Sequence, residues 1–216
     1  LDDSGRLWSP GVRDGVAPDA EVLRHPALAP VLSLVCVPTL DDAIALQNAL
    51  PYGLLAGLHS LDAREIATWV DAVEAGGLVV NRPLGPGSPR RRPFGGWKRS
   101  AVGPGAMSGG PNSVLVLGDW RPEEAEPSED LRLDGLDDRV RLTIEAFQPQ
   151  LDYLAFDRVR RAAYSDEEAW TTEFSRGHDP TGLRLERNVF RYRPAEVVVR
   201  LADGADPADL ARVLVA

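Results

Sequence analysis

Apolar and polar positions change period along this chain, and the changes lay out its elements. Residues 1–30 place turn residues and prolines in close succession, as in SGRLWSPGV and VAPDAEVLRHPALAP, and read as loop with a short strand. Residues 31–37, VLSLVCV, are apolar apart from Ser33 and read as a strand buried on both faces. In TLDDAIALQNAL, Thr39 and Asp42 have the spacing of a capping box, Ala43, Leu46 and Leu50 share one helical face, and Pro51 stops the helix. LLAGLHS is a second strand. Asp62 and Glu65 repeat the cap spacing, and Ile66, Trp69, Val70 and Val73 recur at i, i+3, i+4 and i+7. Gly76 and Gly77 are expected to end that helix, and LVVN is a third strand.

The order β-α-β-α-β predicts an α/β fold with a parallel sheet and right-handed crossovers. Chemistry in such sheets sits in loops beyond the carboxyl ends of the strands, and the segment after Asn81 is such a loop. Residues 83–111 are dominated by glycine and proline, so no helix or long strand is expected there. SVLVLGDW, residues 113–120, reads as a short strand that a partner subunit or the tail should cover. A charged stretch, RPEEAEPSEDLRLDGLDD, follows as a linker and boundary. Helical patterns come next, through Val140, Ile144 and Phe147, then Leu151, Leu154 and Val159, then SDEEAWTTEF. VFRYRPAEVVVRLA reads as strand, and DPADLARVLVA opens a helix with Asp206 as N-cap. The expected organisation is residues 1–120, a linker at 121–135 and a smaller, truncated α/β domain at 136–216.

A net charge of −9 on 216 residues excludes broad nucleic-acid binding, which needs a positive field. No apolar run approaches the roughly 20 residues of a membrane span. The one cysteine, Cys36, fits a reducing, cytoplasmic setting and is expected to pack as a small hydrophobe within its strand. Its placement argues against a nucleophile, since reactive thiols sit in partly exposed, electropositive surroundings. His25, His59 and His178 share no metal-ligand spacing, so no metal site is expected. The ends, Leu1 rather than Met and an apolar pattern at DLARVLVA, read as those of a longer polypeptide.

One stretch stands out. RRRPFGGWKRSAVGPG, residues 90–105, sets five basic residues around paired glycines and two aromatics. It is neither of the glycine-rich phosphate motifs and does not open a helix. On composition it is an ordered surface loop or a local anion-binding patch.

The residues RRRPFGGWKRSAVGPGAMSGGPN resemble the C-terminal active-site loop of aldehyde dehydrogenases. PFGGWKRSAVGPGA and GGPN are most similar to the Δ1-pyrroline-5-carboxylate (L-glutamate γ-semialdehyde) dehydrogenases, including the dehydrogenase half of bifunctional proline utilization proteins. VEAGGLVVNR, YGLLAGLHSLD and GRLWSPGV extend the likeness over residues 1–120, and ERNVFRYRPAEVVVRLADG resembles the lid-like C-terminal domain of the long members.

The resemblance implies an NAD-dependent oxidation of the semialdehyde to glutamate in proline catabolism, with FAD as well where a proline dehydrogenase domain precedes. A cysteine thiolate attacks the aldehyde, hydride passes to NAD, and a glutamate acts as base in hydrolysis of the thioester. Those catalytic residues and the main cofactor domain precede this segment in the family, and Cys36 does not match the nucleophile. No catalytic residue is therefore assigned here, and the chain by itself is expected to be inactive. Pro26 and Leu28 occupy the family's ribose-binding glutamate and nicotinamide-side phenylalanine positions, so Leu28 is the cofactor-side candidate. Pro86 and Gly87 occupy the substrate-anchoring loop, where Pro86 has no N–H to donate. Phe94 matches the aromatic that packs on the substrate, and Arg92 stands where glutamine is usual. The implied partners are an aldehyde substrate, the rest of the dehydrogenase chain and a second subunit paired through the strand that Val114 and Leu117 bound. The alternative is a degenerate, non-catalytic scaffold, lid or oligomerisation module.

Overall fold

A computed structural model describes residues 4–25, 27–85, 87–89, 91–101, 108–121 and 126–216. The chain divides into two compact units, Leu1–Gly118 and Asp119–Ala216.

The first unit opens with β1 (Gly11–Arg13), a single 3₁₀ turn (Glu21–Leu23) in the proline-rich lead, and β2 (Val31–Ser33). β1 and β2 pair in parallel, Gly11 opposite Val31. The strand expected over residues 31–37 therefore stops at Ser33, and it is not buried on both faces: Val31, Leu32 and Leu34 are all exposed. Cys36 is exposed too, which corrects its expected place in a strand interior. The reason is pairing. β2 has one neighbour, β1, and no ladder to the β4–β5 pair described below.

α1 (Leu40–Ala49) starts as its sequence dictates. Thr39 Oγ1 accepts the Asp42 amide at 3.1 Å and donates its hydroxyl to the Asp42 carboxylate at 2.7 Å. Its buried residue is Ile44, one position along from the expected Ala43. β3 (Tyr52–Gly53) and β4 (Leu55–Leu58) follow, then α2 (Ala63–Ala72), capped by Asp62, which accepts the Arg64 amide at 2.7 Å. Glu65 takes the Ser60 hydroxyl at 2.6 Å instead of closing a box. α2 turns Trp69 into the core, with Val73 just past its end, as the periodicity requires. β5 (Gly77–Val80) lies parallel to β4, Leu55 opposite Gly77 through Leu58 opposite Val80, so β4-α2-β5 is a crossover unit. Ile44, Ala56, Trp69, Val73 and Ala75 form the core, with Leu58, Leu78 and Val80 packed on it. Burying Trp69 alone removes on the order of 200 Å² from water, roughly 5 kcal/mol of gross hydrophobic stabilisation.

Two expectations here are corrected. α2 ends at Ala72, where Val73 turns extended, so Gly76 and Gly77 do not cap it. Residues 113–120 form a 3₁₀ turn at Leu115–Leu117 rather than a strand, with Val114, Leu117 and Trp120 exposed. A strand needs a ladder partner, and this segment has none among the described residues.

The second unit is helical. α3 (Asp138–Phe147) and α4 (Tyr153–Ala169) are capped by Asp137 and Asp152, and α4 runs into a π turn at Trp170–Phe174. α5 (Pro207–Val215) starts at Asp206, which accepts the Ala208 amide at 2.8 Å, with Pro207 in the first turn. Ile144, Phe156, Val159, Ala163, Ala211 and Val215 make its core, and Leu131, Leu133 and Leu136 from the charged stretch pack into it. Leu154, expected on the core face, is exposed. The strand expected over residues 189–202 is absent: Phe190 makes one bridge to His178, and Val197, Val198 and Leu201 are exposed without a ladder. No helix among the described residues is long and apolar enough to cross a membrane.

Candidate functional site

The loop after β5 begins at a fixed point. Asn81 adopts φ +55°, a conformation that asparagine tolerates better than most residues, and its side chain clamps Ser60. Its Oδ1 accepts the Ser60 amide at 3.0 Å and its Nδ2 donates to the Ser60 carbonyl at 2.8 Å. The carboxyl ends of β4 and β5 are thereby held together where the loop departs.

The loop returns through PFGGW, and glycines explain how. β6 (Trp97–Lys98) pairs antiparallel with β3, Gly53 opposite Trp97. A methyl group on Gly53 would lie 2.5 Å from the Glu74 carbonyl oxygen, and one on Gly76 would lie 2.7 Å from Gly96 Cα. A methyl on Gly96 would lie 2.5 Å from Ser100 Cβ. These backbones cross at distances that no side chain permits. Gly76 is therefore there for close approach, not for capping. The Gly76 amide donates to Gly53 at 3.0 Å, and Ser100 Oγ accepts the Gly53 amide at 3.2 Å.

Lys98 locks the crossing. It holds φ +53°, and its ammonium makes an ion pair with Glu74 at 2.8 Å and donates to the carbonyls of Asn48 and, at 3.3 Å, Leu50. These carbonyls close the end of α1, a position where a cation is favoured. Asn48 in turn donates to the Ala72 carbonyl at 2.9 Å and accepts the Glu74 amide at 2.9 Å, joining the ends of α1 and α2. The basic stretch suggested a patch for an anion, but Lys98 is an internal tether. Sequence reading missed Lys98, Asn48 and Asn81 in these roles. The available signal was the two glycine pairs, Gly76–Gly77 and Gly95–Gly96, each too costly in chain entropy to stand without a packing reason.

Phe94 and Gly87 are brought together. Phe94 exchanges both backbone hydrogen bonds with Ser108, at 3.0 and 2.8 Å, and Ser88 and Arg92 do the same at 2.6 and 2.7 Å, closing a tight turn between them. A methyl on Gly87 would lie 3.0 Å from Phe94 Cβ. The Phe94 side of this loop is open, with the residue 52% exposed. Pro86 and Pro26 lie outside the described residues. Leu28 belongs elsewhere: its segment hydrogen-bonds toward β1, it adopts φ +47°, and it is 96% exposed.

Comparison with known proteins places this geometry. The aldehyde dehydrogenase family matches residues 1–115. Proline utilization A from Corynebacterium freiburgense is 40% identical, with a TM-score of 0.80 over 100% of this chain and 21% of that one. The 2,5-dioxopentanoate dehydrogenase of Saccharolobus solfataricus is 38% identical over 98 residues, 45% of this chain and 20% of the relative. Malonate-semialdehyde dehydrogenase 2 of Geobacillus kaustophilus is 36% identical over 104 residues, 48% of this chain and 21% of the relative. The chain thus spans 20–21% of the length of these relatives. The family match takes in more than half of the 216 residues, including the glycine crossing and the loop that carries Phe94, and the chain belongs to the aldehyde dehydrogenase family.

Proposed function

We propose that this chain is the C-terminal part of an NAD-dependent L-glutamate γ-semialdehyde dehydrogenase of the proline utilization type. One observation carries the reading. The likeness to proline utilization A runs over all 216 residues, whereas the aldehyde dehydrogenase family match ends at residue 115. The second unit is thus accounted for by that relative and not by dehydrogenases at large.

In this reading residues 1–120 complete the catalytic domain, 121–135 join it to the tail, and 136–216 belong to a lid-like domain. The loop around Phe94 forms one wall of the aldehyde pocket, and the thiolate and the base come from the rest of the protein. Leu28 keeps an apolar side chain at the nicotinamide-side position, whereas Pro26, at the ribose-binding position, has no side-chain acceptor. Hydrogen bonds to the ribose are therefore assigned to the rest of the protein.

A second reading draws on that same departure. A chain with proline at the ribose-binding position, Pro26, suits a non-catalytic scaffold or lid of the same family. The full-length protein decides between them. Reduction of NAD, followed at 340 nm with glutamate semialdehyde, is expected to show turnover. No turnover, together with no NAD binding by calorimetry, would establish the scaffold.

A further inference from the structure

Residues 191–202 carry no helix, turn or ladder, yet the stretch is anchored at both ends. Just before it, Phe190 exchanges backbone hydrogen bonds with His178, both at 2.8 Å, and at its start the Tyr192 ring meets Phe174 edge to face at 4.7 Å. Just beyond it, Asp206 caps α5. Between these anchors residues 194–202 are all exposed, with Val197 at 76% and Val198 at 84%. Three β-branched residues in a row favour a ladder, and no segment among the described residues supplies one.

The charges beside the valines indicate which partner fits. In EVVVR, Glu196 and Arg200 stand two residues to either side of Val198. Both are exposed, and neither side chain makes an ion pair or hydrogen bond within the chain among the described residues. Flanking charges of one sign keep exposed edges apart, whereas opposite charges at equal distances from a centre complement themselves. Laid antiparallel on a second copy with Val198 opposite Val198, each Glu196 faces Arg200 of the other copy. Val197 then pairs with Val199, and Ala195 with Leu201. Any other antiparallel register loses both ion pairs. A parallel, in-register pairing sets Glu196 on Glu196 and Arg200 on Arg200, and is disfavoured. We propose that residues 195–201 are the surface through which two copies of this chain associate, as an antiparallel ladder about a two-fold axis at Val198. The two-fold makes every contact twice, so one complementary pair in the sequence gives two in the dimer. The inference goes beyond the dehydrogenase reading and does not depend on it.

The test uses the full-length protein and sedimentation over a concentration series. The wild type is expected to dimerise reversibly. Glu196→Arg sets arginines face to face at both ends of the ladder, and Arg200→Glu does the same with glutamates. Each should raise the dimer dissociation constant about 30-fold. The deciding sample is the equimolar mixture of the two variants, in which every arginine again faces a glutamate. It should form a heterodimer of near wild-type affinity, a result that cover by the rest of the same polypeptide cannot produce. Cross-linking gives a second readout. A residue on the axis meets its own copy within disulfide reach, so oxidation should join Val198→Cys into a covalent dimer. Val197→Cys, which faces residue 199 of the other copy, should not be joined. A wild type that stays monomeric would overturn the proposal, as would single variants that dimerise like the wild type. A mixture that gains nothing over its components, or equal cross-linking at 197 and 198, would do so too.

Discussion

The two units are built to similar size but held by different means. In the first, the decisive contacts are backbone against backbone, where Gly53, Gly76 and Gly96 let three segments cross and Lys98 ties the crossing to the ends of two helices. In the second, side chains interdigitate between helices, with Ile144 and Val159 fully buried and the small Ala208 and Ala211 letting α5 come close. A backbone crossing has no slack, since adding one carbon at Gly76 meets main chain that must move as a body. A side-chain core is graded, losing stability in proportion to the volume removed. The first arrangement suits a loop that must present residues at fixed places, and the second suits a support.

The largest effect should come from the graded core. Ile144 is fully buried among Leu136, Phe156, Val159 and Val215. Ile144→Ala should cost about 4 kcal/mol, at the upper end for such truncations because the fully enclosed site cannot collapse around the void. The measurement is the urea midpoint of the far-ultraviolet helical signal. A cost under about 1 kcal/mol would mean that the helices close over the cavity, and that this core is softer than its burial implies.

How legible was all this? The helices were, because a helix satisfies its own backbone and needs only a cap and a face. Thr39, Asp62 and Asp206 cap as their positions predict, and Trp69, Val73, Ile144 and Val159 face inward. Strands were legible only in part. GLVV at residues 77–80 and VVV at 197–199 have nearly the same composition, yet only the first has a partner, β4, one crossover away. No local pattern states whether a partner exists, and Cys36 was misplaced for the same reason, through the overlong strand around it. The site divides likewise. Phe94 and Gly87 became candidates through resemblance, whereas the turn at residues 88–92 between them is one that spacing alone does not reveal. Lys98 was counted among basic residues because charge shows in a sequence and its acceptors do not.

Gly76→Ala tests the crossing itself and should be the next largest effect. The added methyl would meet the Gly95 carbonyl and Gly96 Cα, so the PFGGW segment must shift. A cost of about 2 kcal/mol is expected, as for overpacking at a tight site. The three isoleucines make the readout local, with Ile44 and Ile66 in the first unit and Ile144 in the second. Methyl spectra of labelled protein should show Ile44 and Ile66 melting earlier than in the wild type and Ile144 unchanged. Equal shifts at all three would show that the crossing is no local device.

Acid should produce the smallest effect and the sharpest contrast between the units. Asp130, Asp157 and Asp179 all lie in the second unit, and each carboxyl is held below its ordinary value. The Arg132 guanidinium dominates at Asp130 and the Thr181 hydroxyl at Asp179. At Asp157 burial pushes the other way, but the Ser128 amide at 3.2 Å and the guanidinium groups of Arg160 at 3.1 Å and Arg161 at 2.9 Å together outweigh it. A carboxyl depressed in the folded state contributes stability that is complete above its unfolded value, near 3.8, and is lost as pH falls through the folded one. The loss therefore develops below about pH 4 and not near neutrality. Urea midpoints read at the Ile144 methyl should therefore fall more steeply below that pH than those read at Ile44 and Ile66. Parallel slopes would mean that these carboxyls keep their partners in the unfolded chain, and that the ion pairs on α4 order the second unit without stabilising it.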